Sequence, residues 1–123
     1  MANGIGDEGA KSLAEVLPQL SNLQKLYVSG VGTSGAKAIA AILPRCLALT
    51  CLEFDSGEIC FVGASAIAAD LPSLKRLTTF QLANNDIGST GVRSVADVLS
   101  RCDRLISLDL SGNQVKLNIS IFF

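Results

Sequence analysis

Residues 9–18 read GAKSLAEVLP, and the chain returns to this pattern three more times. The later copies read GAKAIAAILP from Gly35, GASAIAADLP from Gly63 and GVRSVADVLS from Gly91, so each copy starts 26 or 28 residues after the previous one. Periods of this length are typical of proteins that stack one structural unit repeatedly. The 123 residues therefore predict one repeat domain, with no room for a second domain of ordinary size.

Each copy predicts an amphipathic helix, because its apolar residues recur at the i, i+3, i+4 and i+7 positions of one helix face. In the first copy these residues are Ala10, Leu13, Ala14 and Leu17. Proline follows the first three helices and is expected to end them. Polar residues just before three of the helices are predicted to cap the free backbone N–H groups. The capping candidates are Asp7, Thr33 and Ser89.

The segments between the helices predict short strands, because apolar and polar residues alternate there with a period of two. The alternating apolar pairs are Leu26 and Val28, Leu52 and Phe54, Phe80 and Leu82, and Leu108 and Leu110. Successive strands are joined through a helix. They should therefore lie parallel in one sheet, with right-handed connections.

The combined pattern LxxLxLxxNxIGxxGAxxIAxxL resembles the leucine-rich repeat of the ribonuclease-inhibitor type, which is also found in the C-terminal region of NOD-like receptors. The resemblance covers residues 3–115. It implies an α/β fold, a curved leucine-rich-repeat solenoid with short parallel strands on the concave face and helices on the convex face. Strands stack about 4.8 Å apart and helices need about 10 Å, so the stack must bend toward the sheet.

Two departures from the repeat pattern lie in the turns that follow the strands. The resemblance implies that a turn asparagine binds neighbouring loop backbone, and Asn3, Asn85 and Asn113 keep this residue. Gly57 replaces it in one repeat, and the turn from Ser29 is two residues short and lacks it altogether. We therefore expect the asparagine ladder to be broken across the two middle repeats.

The predicted domain organisation is a solenoid over residues 1–115 with uncapped ends, followed by a non-repeat apolar tail over residues 116–123. The tail is rich in β-forming residues, and it is expected either to fold over the open end of the solenoid or to be foreign to the array. A truncated or mis-spliced end is the interpretation that we favour. At an open end, Leu105, Leu108 and Leu110 would be exposed and would promote edge pairing.

Composition and motifs argue against several functional classes. The net charge of −1 leaves no basic surplus for nucleic acid or anionic lipid. The chain has no histidine, no close pair of carboxylates within one motif and no phosphate-binding glycine loop. Its longest apolar stretches are far too short to span a membrane. We predict no catalytic or metal-binding residues, no cofactor, and neither a nucleic-acid nor a membrane partner.

The four cysteines form neither a metal-binding nor a disulfide pattern. Cys46 and Cys102 share a repeat position with Leu20 and Leu74, and all four are predicted to be buried. Cys51 is predicted to point outward from a strand, and Cys60 replaces a turn glycine. Reduced thiols favour a cytoplasmic location.

Ligands of the resembled family usually contact the concave sheet and the turns above it. By repeat register, the predicted partner-binding residues on this face are Lys25, Tyr27, Ser29, Glu53, Asp55, Thr79, Gln81, Ser107 and Asp109. Cys51, Ala83 and Ser111 complete the set of outward-facing positions, and one lysine stands there against three carboxylates. A partner protein with a basic patch is weakly favoured. The alternative is a solvated sheet face with no partner.

Phe61, followed by Val62, is the tenth predicted binding residue, since these apolar side chains interrupt a polar turn pattern beside Glu58 and Asp55. An apolar residue of this kind can anchor a partner. It can equally reflect decay of the repeat or packing against the shortened neighbouring turn.

The leading hypothesis is a protein–protein interaction module within a larger cytosolic receptor or scaffold that is similar to NOD-like receptors. One alternative is a GTPase-activating leucine-rich-repeat protein, whose family uses the same repeat type. Another alternative is a non-functional repeat fragment.

Overall fold

A computed structural model describes residues 5–113 and the backbone of Ser120–Phe122. Helices and strands alternate along the chain, as the repeat pattern predicts. The helices are α1 (Gly6–Val16), α2 (Thr33–Ile42), α3 (Cys60–Asp70) and α4 (Gly88–Ala96). The strands are β1 (Lys25–Ser29), β2 (Cys51–Asp55), β3 (Thr79–Gln81), β4 (Ser107–Asp109) and β5 (Ser120–Phe122). This arrangement confirms the predicted α/β solenoid.

The strands form one sheet in the order β1-β2-β3-β4-β5, and the first four are parallel. Their register pairs residues that hold the same repeat position, so that Tyr27 lies opposite Glu53, Glu53 opposite Gln81, and Gln81 opposite Asp109. The predicted parallel sheet is therefore confirmed. Side chains at one repeat position form columns that run across the sheet.

One buried cluster lies between the helices and the sheet. Alanine occupies the same helix position in three repeats, and Ala10, Ala36 and Ala64 are fully buried there. Phe54 and Phe80 of the strand segments are also fully buried. A Cβ atom at Gly35 of α2 would lie 3.0 Å from the Cβ of Ala10 on α1, so these small residues let neighbouring helices pack closely.

Each α-helix ends in a short 3-10 helix, and in the first three repeats proline occupies its first turn. The 3-10 helices are Leu17–Gln19, Leu43–Arg45, Leu71–Ser73 and Leu99–Arg101. The stops near Pro18, Pro44 and Pro72 therefore lie where the sequence predicts them.

The capping prediction is wrong, because Asp7, Thr33 and Ser89 lie within the helices and none caps its own helix. Asp7 Oδ1 instead accepts hydrogen bonds at 2.8 Å from the N–H groups of Gly32 and Gly35 in the next repeat. Thr33 donates its hydroxyl hydrogen to the Ile59 carbonyl oxygen at 2.8 Å, again one repeat further on. These side chains link neighbouring repeats.

The asparagine ladder is present in the last two turns. Asn113 is 1% exposed, accepts from the Asn85 N–H at 2.7 Å and donates to the Leu82 carbonyl oxygen at 2.7 Å. Asn85 is fully buried, and its Oδ1 accepts from the Gly57 N–H at 3.0 Å. The ladder stops at Gly57, as predicted, and Asn3 lies outside the described residues.

The shortened turn contacts the following turn directly through backbone. The Glu58 N–H donates to the Val31 carbonyl oxygen at 3.0 Å, and Gly32 forms an isolated parallel bridge with Glu58. A Cβ atom at Gly57 would collide with the Val31 carbonyl oxygen and lie 2.9 Å from Asn85 Oδ1. Glycine at the asparagine position therefore permits the close approach that the missing two residues require.

Several burial predictions differ from the structure. Cys46 is buried as predicted, but Cys102 is partly exposed and Leu20 is half exposed. Leu20 lies in the first turn of the array, where no further repeat packs on its outer side among the described residues. Cys60 does hold the place of a turn glycine, because its φ of +59° matches the +61° of Gly88.

Exposure of the last strand is also a wrong prediction. Leu105, Leu108 and Leu110 are at most 5% exposed, because they pack into the same cluster as Val95 of α4. Within the predicted tail, the backbone of β5 pairs antiparallel with β4, and Asp109 lies opposite Ser120. This part of the tail lies at the sheet edge. Residues 1–4, 114–119 and 123 lie outside the described part, and the boundary at residue 115 stays a prediction.

Candidate functional site

The concave face is the side of the sheet that faces away from the helices, and the register brings its predicted residues into columns. Lys25, Cys51, Thr79 and Ser107 form one column, and Tyr27, Glu53, Gln81 and Asp109 form the next. Ser29 pairs with Asp55 above them. The structure therefore brings together every predicted binding residue except Phe61.

Tyr27 is the most prominent side chain on this face. It is 60% exposed, whereas Glu53, Gln81 and Asp109 in the same column are only partly exposed. The neighbouring Cys51 thiol raises the pKa of the Tyr27 hydroxyl above its usual value. Much of the Tyr27 side chain is accessible to a partner.

Cys51 is buried, and the prediction that its thiol is exposed on this face is wrong. It does lie at an outward-facing register position, but the Tyr27 side chain lies against it. Burial raises the pKa of the Cys51 thiol. The raised pKa favours the protonated thiol, and only the thiolate is a strong nucleophile.

Among the described residues, the carboxylates on the concave face form no ion pair. Within the described part of the chain, the one ion pair joins Lys11 to Glu8 on α1. Asp55 Oδ1 accepts from Ser56 Oγ and Asn84 Nδ2, each at 3.2 Å, and Asp109 Oδ1 accepts from the Ser111 N–H at 2.9 Å. The carboxylates are oriented by neutral donors, so their charge remains available to a partner.

A groove of about 200 Å³ crosses the first three strands of the concave face, and we call it the tyrosine groove. Its lining residues are Tyr27, Val28, Ser29, Glu53, Asp55 and Gln81. The Oε1 atom of Gln81 is buried and has no hydrogen-bond partner within the residues that the structure describes. The groove therefore combines an aromatic wall, two carboxylates and a vacant hydrogen-bond acceptor.

A second concavity of about 630 Å³ lies on the rim above the shortened turn. Asp7, Glu58 and the backbone of the shortened turn line it. Phe61 and Val62, in the first turn of α3, are 51% and 42% exposed but line neither concavity. The structure thus places the predicted anchor on the helix side of the rim, apart from the strand residues.

Sequence patterns point to the columns but do not reveal the groove. The shortened turn is visible in the sequence, whereas the rim concavity beside it depends on how neighbouring turns pack. The single tyrosine was the only sequence signal for the groove. The contact of its ring with the next strand has no sequence signature.

The described residues offer no metal site, membrane span or disulfide. No group of histidine, cysteine or acidic side chains there could hold a metal ion. No described helix is long and apolar enough to cross a membrane. All four cysteines are free thiols.

Comparison with protein families finds a match to the model described as Leucine Rich repeat, over residues 1–14 and 74–96. The second segment begins just after the third 3-10 helix and runs through β3 to the end of α4. No curated protein matches the chain. The match covers two short segments of the chain and agrees with the leucine-rich-repeat solenoid seen in the fold. Repeats of this kind generally mediate protein–protein interactions.

Proposed function

We propose that this chain is a protein–protein interaction module that binds its partner through the concave face and the adjacent turns. One observation carries the proposal. The register aligns an exposed aromatic ring and three carboxylates on a face that the helices leave open, and these carboxylates form no ion pair within the described part of the chain. Exposed aromatic residues are enriched among those that dominate binding at protein interfaces.

The charge of this face favours a partner with a basic patch. Lys25 stands against Glu53, Asp55 and Asp109, so the surface is mildly acidic. Complementary charge accelerates encounter and fixes orientation. We further propose that the module belongs to a larger cytosolic receptor or scaffold, of which NOD-like receptors are the model. The free thiols suit such a reducing compartment.

The test compares which proteins are retained by three immobilised forms of the chain. The concave-face variant combines Tyr27→Ala, Glu53→Arg and Asp109→Arg. The control variant combines Glu15→Ala and Arg93→Ala, two exposed residues on the helices. Proteins held by the native chain and by the control but lost by the concave-face variant would support the proposal.

Retention that is unchanged by the concave-face variant would overturn the proposal. A nucleotide-hydrolysis assay with candidate GTPases tests the alternative function. Acceleration by the native chain would replace the interaction module with a GTPase-activating protein.

A further inference from the structure

The tyrosine groove has the chemistry of a site for one particular side chain. This inference rests on the proposed function, since it names what the partner would insert into the concave face. Three features of different kinds converge within about 200 Å³. They are the exposed ring of Tyr27, the carboxylates of Glu53 and Asp55, and the vacant acceptor on Gln81.

The aromatic wall is open to a partner. Tyr27 lies on β1 opposite Glu53 of β2, and 60% of the residue is exposed. The face of an aromatic ring attracts cations.

The carboxylates require a cation that the described residues do not supply. Glu53 lies next to Tyr27 in the register and forms no ion pair within the described part of the chain. Asp55 lies two residues further along the same strand and is oriented by Ser56 and Asn84. A positive group in the groove would therefore face negative charge from two directions.

The Gln81 amide adds a requirement for a hydrogen-bond donor. Its Oε1 atom is buried and unpaired within the described residues, and Gln81 lies directly opposite Glu53. Leaving a buried acceptor without a donor costs free energy. If Gln81 turns its amide into the groove, a ligand that donates an N–H to this atom would recover that cost on binding.

Arginine meets these requirements more fully than any other natural side chain. The arginine guanidinium is planar and always charged, stacks on aromatic faces and presents five N–H donors that match a carboxylate. Lysine offers a compact charge that does not stack in a plane or form two parallel bonds to a carboxylate. We propose that the tyrosine groove accepts an arginine side chain of the partner. The guanidinium stacks on Tyr27 and pairs with Glu53, and it donates to Gln81 Oε1 once the Gln81 side chain turns into the groove.

The composition of the chain allows binding in the tyrosine groove to be measured directly. Tyr27 is its one tyrosine and it has no tryptophan, so tyrosine fluorescence reports on this groove alone. The probes are the blocked tripeptides acetyl-Gly-Arg-Gly-amide, its lysine counterpart and its neutral citrulline counterpart. The arginine peptide should give a saturable change at about tenfold lower concentration than the lysine peptide. The citrulline peptide should give none.

Substitutions test whether the fluorescence change arises from binding in the tyrosine groove. Glu53→Gln and Gln81→Leu should each weaken binding of the arginine peptide about tenfold. Glu15→Gln removes the same charge from an exposed site on α1 and should leave binding unchanged. Circular dichroism checks that each variant is folded. In an amide-detected NMR titration, the side-chain NH₂ signals of Gln81 should also shift with the arginine peptide.

The outcomes separate this inference from the proposed function. Equal response to arginine and lysine, or no saturable response to arginine, would overturn the arginine groove. So would retention of the same partner proteins by Glu53→Gln and Gln81→Leu. In each case the interaction module would stand, provided that the triple concave-face variant still loses its partners.

Discussion

The side chain of Asp7 accepts a hydrogen bond from the backbone N–H of Gly35 at 2.8 Å, although the two residues are 28 positions apart. The same oxygen accepts from the Gly32 N–H at 2.8 Å. Both N–H groups lie at the start of α2, where backbone donors have no partner within the helix. Asp7 in one repeat therefore caps the helix of the next, and folding of the two repeats is coupled.

Replacement of Asp7 should weaken this coupling. Asp7→Ala is expected to lower the free energy of unfolding by about 1 kcal/mol, the usual cost of a lost helix cap. Urea denaturation measures the change. The matched control is Glu8→Ala, which removes an adjacent exposed carboxylate whose ion pair with Lys11 contributes little. Equal effects of the two substitutions would contradict the capping role.

The asparagine ladder should contribute more than the cap, because it is fully buried. Asn85→Ala removes the acceptor of the Gly57 N–H and the donor to the Phe54 carbonyl oxygen. We expect a loss of more than about 2 kcal/mol, since each buried group left unpaired is costly. Asn22→Ala, at an exposed turn position, should change stability by less than about 0.5 kcal/mol. A small effect at Asn85 would show that backbone contacts alone hold these turns.

Cys60 offers a substitution that should stabilise the fold. Its φ of +59° lies in the left-handed region, which glycine adopts without strain and other residues do not. Cys60→Gly is therefore expected to gain up to about 1 kcal/mol, measured as a higher urea midpoint. Ser34→Gly in α2 should lose about 1 kcal/mol, since glycine there only loosens a helix. Destabilisation by Cys60→Gly would mean that its thiol contact with the Glu58 carbonyl oxygen matters more than the strain.

Asp70 should lower the free energy of unfolding as the pH rises, whereas most carboxyl groups have the opposite effect. Burial raises the pKa of Asp70 above the ordinary 3.8, so the folded state favours the protonated form. Its contribution is therefore most favourable at low pH and is lost as the pH rises through the range above 3.8. Asp70→Asn should be more stable than the native chain at pH 7, and the difference should shrink as the pH falls below 4.

Asp97→Asn provides the matched control for this pH effect. It removes a carboxylate from an exposed position just after α4. Thermal unfolding of both variants between pH 3 and pH 7 would separate burial from net charge. The same pH profile for the two substitutions would rule out a specific effect of Asp70.

Phe61 tests whether the apolar rim belongs to the binding surface. Phe61→Ala should weaken partner binding by about 1 kcal/mol or more and change stability by less than about 0.5 kcal/mol. Phe80→Ala, at a fully buried core position, should instead lose about 3–5 kcal/mol of stability. Calorimetry measures the change in partner binding, and urea unfolding measures the change in stability, so together they distinguish the two substitutions. A loss of stability at Phe61 with unchanged binding would assign it to packing.

The periodic part of the structure is the part that sequence predicts well. Ala10 and its counterparts, and pairs such as Phe80 with Leu82, are buried where their spacing places them. Such positions are determined by the 3.6-residue period of helices and the two-residue period of strands. The columns of the concave face follow from the same register. These columns can be predicted from the register alone, without knowing which side chains are in contact.

Contacts between repeats are the part that sequence did not predict. Asp7 lies in the first turn of α1, and local rules assign it to that helix, yet its partners lie 25 and 28 residues away. Cys51 has an outward-facing position but is covered by a tyrosine from the strand beside it. Leu105 was expected at an open end and is buried. Each difference depends on contacts between residues that are far apart in the sequence, and the local periodicity of the sequence does not predict such contacts.

The antiparallel pairing of β5 with β4 has a consequence for assembly. A further repeat of this solenoid would have to add a parallel strand beside Ser107–Asp109, using backbone groups that Ser120–Phe122 already occupies. Extension of the array at this edge, by more repeats or by a second molecule stacking end to end, therefore requires displacement of β5. The antiparallel strand β5 thus opposes polymerisation of the solenoid in this direction, because it occupies the edge of β4 where another strand would pair.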